Sequence, residues 1–232
     1  RLAPALLLLL IGVALARIAA PHPSADTWRA EMLAALTYTT NWFQIVTGAD
    51  YFSQFGAAQP LMHTWSLAIE EQFYLFFAVL MAVLLKRARS RVVLIVYIVL
   101  TVMSATWMFL LADADPVWAY YGTTTRIQAL LVGAVLALCV RRGAAPPSED
   151  EGRWPRLLGW LGVAVMAGFL LVPGSNDVMF RGGFLLVAAA SAVVIWAIIS
   201  GGALATALSW RPLVALGTIS YGVYLWHWPV FL

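Results

Sequence analysis

Two adjacent carboxylates, Glu70 and Glu71, sit in HTWSLAIEEQFYLFF at residues 63–77, a stretch that is otherwise largely apolar. A charged side chain at the bilayer centre costs roughly 2.5–3.5 kcal/mol on insertion scales, so a greasy helix that carries two needs a reason. If helix runs back to residue 63, His63, Ser66, Glu70 and Tyr74 fall at i, i+3, i+7 and i+11 and share one face. An imidazole and a carboxylate on one stripe are equipped to pass a proton. The plainer alternative is that either carboxylate only ties helices together by pairing with an arginine. Arg126, in YYGTTTRIQALLVGAVLAL, is the natural counter-charge, because it opens a span at a depth similar to Glu70. An Arg126–Glu70 pair would keep both groups ionised; otherwise Arg126 snorkels to the interface.

A second polar stripe lies in GTISYGVYLWHWPVFL. Gly217, Ser220, Tyr224 and His227 follow i, i+3, i+7 and i+10, between Trp226 and Trp228. Pro229 lacks an N–H and frees a backbone carbonyl one turn earlier, which His227 or a water can use. Alternatively His227 is simply a satisfied interface histidine.

These groups must be positioned by membrane helices. The chain is 62% hydrophobic and 11% charged, far from the balance of a soluble domain. The expected fold is all-α, a polytopic helix bundle with spans near 2–19, 66–85, 92–111, 123–140, 157–173, 183–200 and 213–232. Residues 32–47 are too short and polar to span, and are expected to form an interfacial or re-entrant helix. Lys86, Arg87, Arg89, Arg91, Arg141, Arg142, Arg153, Arg156 and Arg211 fall with Arg1 on one side, which is therefore cytoplasmic. Only Arg17, Arg29, Arg126 and Arg181 fall on the other. Lys86 ends its span 16 residues after Glu70, roughly 24 Å along a helix, which puts both carboxylates near the outer boundary of the hydrocarbon core. Segment 20–65 becomes an outer loop. The Pro-rich, charged segment 143–155 becomes a cytoplasmic linker. Ala164 and Gly168 read as helix-packing positions. Residues 1–16 also carry some marks of a signal peptide, but further spans follow without a periplasmic domain, so a first span is the better reading.

Several function classes are excluded. The lone cysteine, Cys139, rules out an internal disulfide and any multi-cysteine metal site. The chain has no P-loop, no dinucleotide glycine fingerprint, no His-Glu-x-x-His and no GxSxG elbow. The acidic outer face argues against nucleic acid. A proton-coupled transporter using the Glu/Arg/His cluster stays open, although such proteins usually show paired repeats and broken helices at mid-membrane. So does a catalytically dead scaffold presenting a fused domain.

The segment NWFQIVTGADYFSQFGAAQPLMHTWSLAIEEQFYLFF closely resembles the defining region of the acyltransferase-3 family of integral membrane acyltransferases. YYGTTTRIQALLVGAVLAL and ISYGVYLWHWPV resemble its later signatures, in the expected order. The resemblance implies O-acyl transfer, often of acetyl, from a cytoplasmic acyl-CoA such as acetyl-CoA to a hydroxyl of an exported carbohydrate. Acceptors of that kind include lipopolysaccharide, peptidoglycan or a lipid-linked sugar, and no permanently bound cofactor is implied. It further implies a bacterial inner-membrane location and a ten-span core, of which residues 1–232 would be a partial domain holding the third to ninth spans. The first two spans, including one with an essential histidine, and the C-terminal end would be absent, leaving the piece inactive alone. The branch it looks most like carries a fused or partner SGNH domain. Arg1 matches the last arginine of the family's Arg-Arg-x-x-Arg motif and would meet the phosphates of the donor. Glu70, Glu71, His63 and Arg126 take the catalytic positions. Trp65, Ser66, Gln72 and Tyr74, with Ser220, Tyr221, Tyr224 and His227, would line the acceptor side.

Overall fold

A computed structural model describes residues 2–19, 25–48, 59–143, 154–171, 177–199 and 201–232. Among them the regular elements are helices: α1 (Leu2–Ala19), α2 (Ala25–Leu36), α3 (Thr40–Thr47), α4 (Trp65–Arg87), α5 (Ser90–Ala114), α6 (Pro116–Tyr121), α7 (Thr123–Arg126), α8 (Gln128–Arg141), α9 (Trp154–Phe169), α10 (Phe184–Ile199), α11 (Gly202–Leu208) and α12 (Arg211–Phe231). A 3-10 turn, Met62–Thr64, leads into α4, and a π turn, Met179–Gly183, leads into α10. Among the described residues three helical stretches are long and apolar enough to cross a membrane: Met62–Arg87, Ser90–Ala114 and Met179–Ile199. Ala3–Ala19, Gln128–Arg141 and Arg156–Phe169 are shorter apolar helices.

Two expected elements are subdivided. Residues 32–47 do not form one helix: α2 ends at Leu36 and α3 begins at Thr40. Between them Tyr38 adopts a positive φ of 54°, which no helix tolerates. The expected span 123–140 is divided into α7 and α8 only by a turn at Ile127, whose φ of −62° and ψ of −16° stay right-handed helical and whose carbonyl still accepts the Leu131 N–H.

Two packing units meet at the start of α4. On one side α5 packs on α8, α8 on α10 and α10 on α9, with α6 and α7 laid across α5. On the other, α1 packs against α2 and α12. Met62, Trp65 and Ile69 are buried with Val93, Tyr97 and Leu131 of the first unit. Leu61 and Leu67 are buried with Leu6, Leu9 and Leu225 of the second. Apolar side chains at helical spacing on two faces of one segment thus fix that segment between both units.

Small residues close the α9–α10 contact, but not the expected ones. Ala164 and Gly168 are exposed, and a Cβ added at Gly168 would meet nothing within 4 Å. A Cβ at Gly162 would instead come within 2.9 Å of the Ala190 carbonyl, and one at Gly159 within 2.8 Å of Ala197. Those two glycines let the helices approach.

Candidate functional site

The turn that carries His63 is anchored from three elements. Glu31 of α2 is completely buried, and its Oε1 accepts the Leu61 N–H at 2.9 Å. Thr40 of α3 bonds Thr64 between hydroxyls at 3.0 Å. The Trp228 indole of α12 donates to the Gln59 carbonyl at 2.9 Å. Glu31 looked unremarkable in its sequence context, yet burial pushes its carboxyl up to about 8 against the opposing pull of the Leu61 N–H.

His63 is 3% exposed and faces α12 rather than Glu70. Its Nε2–H donates to the Leu225 carbonyl at 3.0 Å. That carbonyl stands four residues before Pro229 and so lacks its helical donor. The freed acceptor is therefore taken by His63. His227, the expected user, instead donates from Nδ1 to the Tyr224 carbonyl. The His63 ring lies 5.5 Å from that of Tyr224 and 5.2 Å from that of His227. The expected His63–Glu70 proton pair is not formed, because seven helical residues separate them by roughly 10 Å along the axis.

Ser66 and Tyr224 connect this cluster to the carboxylates. The Tyr224 hydroxyl donates to the His63 carbonyl, and Ser66 lies 2.6 Å from the same phenol oxygen. Ser66 and Glu70 then line a cavity of about 340 Å³, shared with Trp65, Arg126, Gln128 and Phe184. A second cavity of about 500 Å³ beside α5 is lined by Leu100, Met103, Trp107 and Leu110 and has no ionisable group.

Arg126 and Glu70 line one cavity, but the expected ion pair between them is absent among the described residues. The guanidinium instead lies over the rings of Phe184 at 4.0 Å, Trp65 at 5.1 Å and Tyr120 at 5.2 Å. Aromatic faces stabilise a cation without neutralising it. Trp65 is itself held edge-on to Tyr121 at 5.3 Å. Burial and the Glu71 carboxylate push the Tyr38 phenol above its usual value.

Gln72 knits the helices together. Its amide donates to the Tyr38 carbonyl at 2.9 Å and to Asn41 Oδ1 at 3.0 Å, and its oxygen accepts the Thr123 hydroxyl at 2.6 Å. Asn41 in turn donates to Thr123 at 2.9 Å. Asn41 and Thr123 were not singled out in the sequence; polar residues in an apolar stretch were the available signal. The positive φ of Tyr38 is what presents its carbonyl at this junction.

Of the described expected site residues, Trp65, Ser66, Glu70 and Arg126 line the cavity, whereas His63, Glu71, Gln72, Tyr74, Ser220, Tyr221, Tyr224 and His227 do not. Tyr74 is 52% exposed, one turn beyond Glu70. Ser220 is exposed and bonds back to Gly217 of its own helix at 2.8 Å. Tyr221 and Tyr224, by contrast, pack on the α1–α12 core. Arg1 lies outside the described residues, as do 20–24 and 49–58 of the segment 20–65 and 144–153 of the segment 143–155. Among the described residues no group of three His, Cys, Asp or Glu is placed to hold a metal ion.

A family profile described as "Acyltransferase domain" matches residues 1–232. The chain is 33% identical over 238 residues to the O-acetyltransferase OatA of Staphylococcus aureus (strain NCTC 8325 / PS 47), covering 100% of this chain and 39% of that protein. It is 35% identical over 242 residues to the peptidoglycan O-acetyltransferase OatA of Listeria monocytogenes serovar 1/2a, covering 99% of this chain and 38% of that protein. The chain thus spans 39% and 38% of the length of these relatives. No solved structure matches it.

Proposed function

We propose a function from one premise: this chain belongs to the acyltransferase-3 family of integral membrane proteins. It forms membrane-embedded machinery of a peptidoglycan O-acetyltransferase in a bacterial inner membrane. The donor is acetyl-CoA reached from the cytoplasmic face, where Arg1 meets its phosphates. The acceptor is a glycan hydroxyl presented at the outer face, and a fused or partner SGNH domain is the natural recipient or companion. The seven apolar segments all cross the bilayer, with 143–155 inside and 20–65 outside.

The observation that carries this reading is the cavity in which Ser66, Glu70 and Arg126 meet without neutralising one another. An arginine held by aromatic faces keeps its N–H donors free for an oxygen that gains negative charge, which is what an acyl carbonyl does under attack. Glu70 accepts the hydrogen bond of the attacking hydroxyl and orients it. Glu71, Tyr38 and Tyr221 form the outer wall, and Gln72 holds α4 at the required depth against α3 and α7. His63, Trp65, Tyr224 and His227 shape the side facing α12.

The test is peptidoglycan-bound O-acetate, released by mild base from cells that make the intact protein or Glu70→Gln, Glu71→Gln and Arg126→Met variants. Wild-type protein raises ester-linked acetate, and the variants do not at equal membrane abundance. Full activity in both glutamate variants would end the catalytic reading of the doublet.

A further inference from the structure

The contact between His63 and α12 follows from a missing atom. In an unbroken α12 the N–H of residue 229 would bond the Leu225 carbonyl, and proline has none. His63 fills that place with its Nε2–H at 3.0 Å. A carbonyl can only accept, so Nε2 carries the proton and the ring tautomer is set. Buried Nδ1 makes no hydrogen bond.

The same logic gives directions to the next two bonds. The His63 carbonyl must accept from the Tyr224 hydroxyl, which uses the only proton of that phenol. Ser66, 2.6 Å from the Tyr224 oxygen, is then the donor in their contact. Its proton points away from the cavity it lines.

We propose that Pro229 is a positioning residue. By leaving Leu225 without a helical donor it latches His63 to α12, and the latch holds Ser66 with its lone pairs turned into the cavity to accept a substrate hydroxyl. Beside Glu70, also an acceptor, and Arg126, a donor, this end of the cavity matches a ligand that brings O–H groups together with one acyl carbonyl. The ring of His63 serves here as an N–H donor, not as a base. The substrate half of the inference rests on the acyl-transfer reading; the latch does not.

The intact protein in lipid nanodiscs, labelled with 15N-histidine, tests both halves. In the wild type His63 shows a protonated Nε2 and a bare Nδ1. Pro229→Ala supplies an N–H that reclaims Leu225 and strengthens α12, so the fold survives while the His63 tautomer is released. In transfer assays Pro229→Ala and Ser66→Ala raise the acceptor KM by about two- to tenfold, the worth of one hydrogen bond, with a smaller change in kcat. His63→Ala behaves like Pro229→Ala, and His63→Gln, which keeps an N–H donor without a ring base, recovers most of what His63→Ala loses. A His63 spectrum unchanged by Pro229→Ala overturns the latch. His63→Gln as impaired as His63→Ala overturns the positioning role in favour of acid–base chemistry. A wild type that transfers no acyl group overturns the functional reading, while the ring-nitrogen comparison still decides the latch.

Discussion

Arg126 and Arg181 are both arginines beside short helical turns, and their surroundings are opposite. Arg181, on the π turn before α10, donates to both carboxylate oxygens of Asp113 at 2.9 and 2.7 Å, yet the two side chains are 41% and 72% exposed. Arg126 is packed among three aromatic rings and makes no ion pair with Glu70, the carboxylate that shares its cavity. An exposed ion pair contributes about 0–1 kcal/mol and is screened by salt. A desolvated cation facing a cavity is a standing attraction for electron-rich oxygen. The ion-paired arginine is therefore the ordinary one, and the arginine held by rings is the candidate for the site.

The contrast can be broken most directly by exchanging charge. Arg126→Met and Glu70→Gln should each lower acetyl transfer by about 10²-fold or more at unchanged membrane abundance, read as base-labile acetate on peptidoglycan. Arg126→Lys should rescue little, since an ammonium neither stacks on Phe184 nor forks toward two oxygens. Activity near wild type in Arg126→Lys would reduce the site to a point charge.

A buried carboxylate outside the spans sharpens the contrast next. Glu31→Ala leaves the Leu61 N–H without its acceptor and should destabilise the protein by about 1–3 kcal/mol in thermal unfolding. Glu31→Gln keeps an acceptor for the Leu61 N–H but cannot ionise, so it should match wild type near pH 4.5 and be the more stable of the two at neutral pH. Because the folded carboxyl titrates near 8 rather than at its ordinary 4.5, its contribution to stability is full below about 4.5. It falls away as pH rises, and is lost once pH passes the folded value near 8. Glu31→Gln should flatten that decline; an unaltered pH profile would contradict the burial argument.

Thinning the aromatic cage is a smaller change. Phe184→Leu removes the nearest ring from Arg126 and should cost about 0.5–2 kcal/mol, seen as a lower unfolding temperature. The smallest effect belongs to the exposed pair: Asp113→Asn should shift stability by no more than about 1 kcal/mol, and less at high salt.

Helix content was legible from apolar runs. The break at Tyr38 was not, because it sits in locally helical sequence and only tertiary bonds, such as Gln72 to the Tyr38 carbonyl, reward leaving the helix. Depth along a span placed Arg126 beside Glu70 correctly, since both line one cavity. Depth says nothing of the angle around the axis, so the assumed ion pair was a guess that aromatic packing overrode. The stripe His63, Ser66, Glu70, Tyr74 failed at its two ends for a related reason: the turn at 62–64 is 3-10 rather than α, and by Tyr74 that face of α4 has no neighbour. Glu31 was missed because nothing in a single glutamate tells that an amide from thirty residues downstream will come to it.

One last consequence concerns α12. Every side chain from Arg211 to Ser220 is exposed, while residues 221–229 hold the contacts to α1 and the His63 turn. A rod gripped at one end is a lever. From Leu225 to Arg211 its free arm is about 21 Å long, so a tilt of a few degrees at the grip sweeps the far end by an ångström or more. Any force on that arm would be transmitted as torque to the carbonyl that His63 holds.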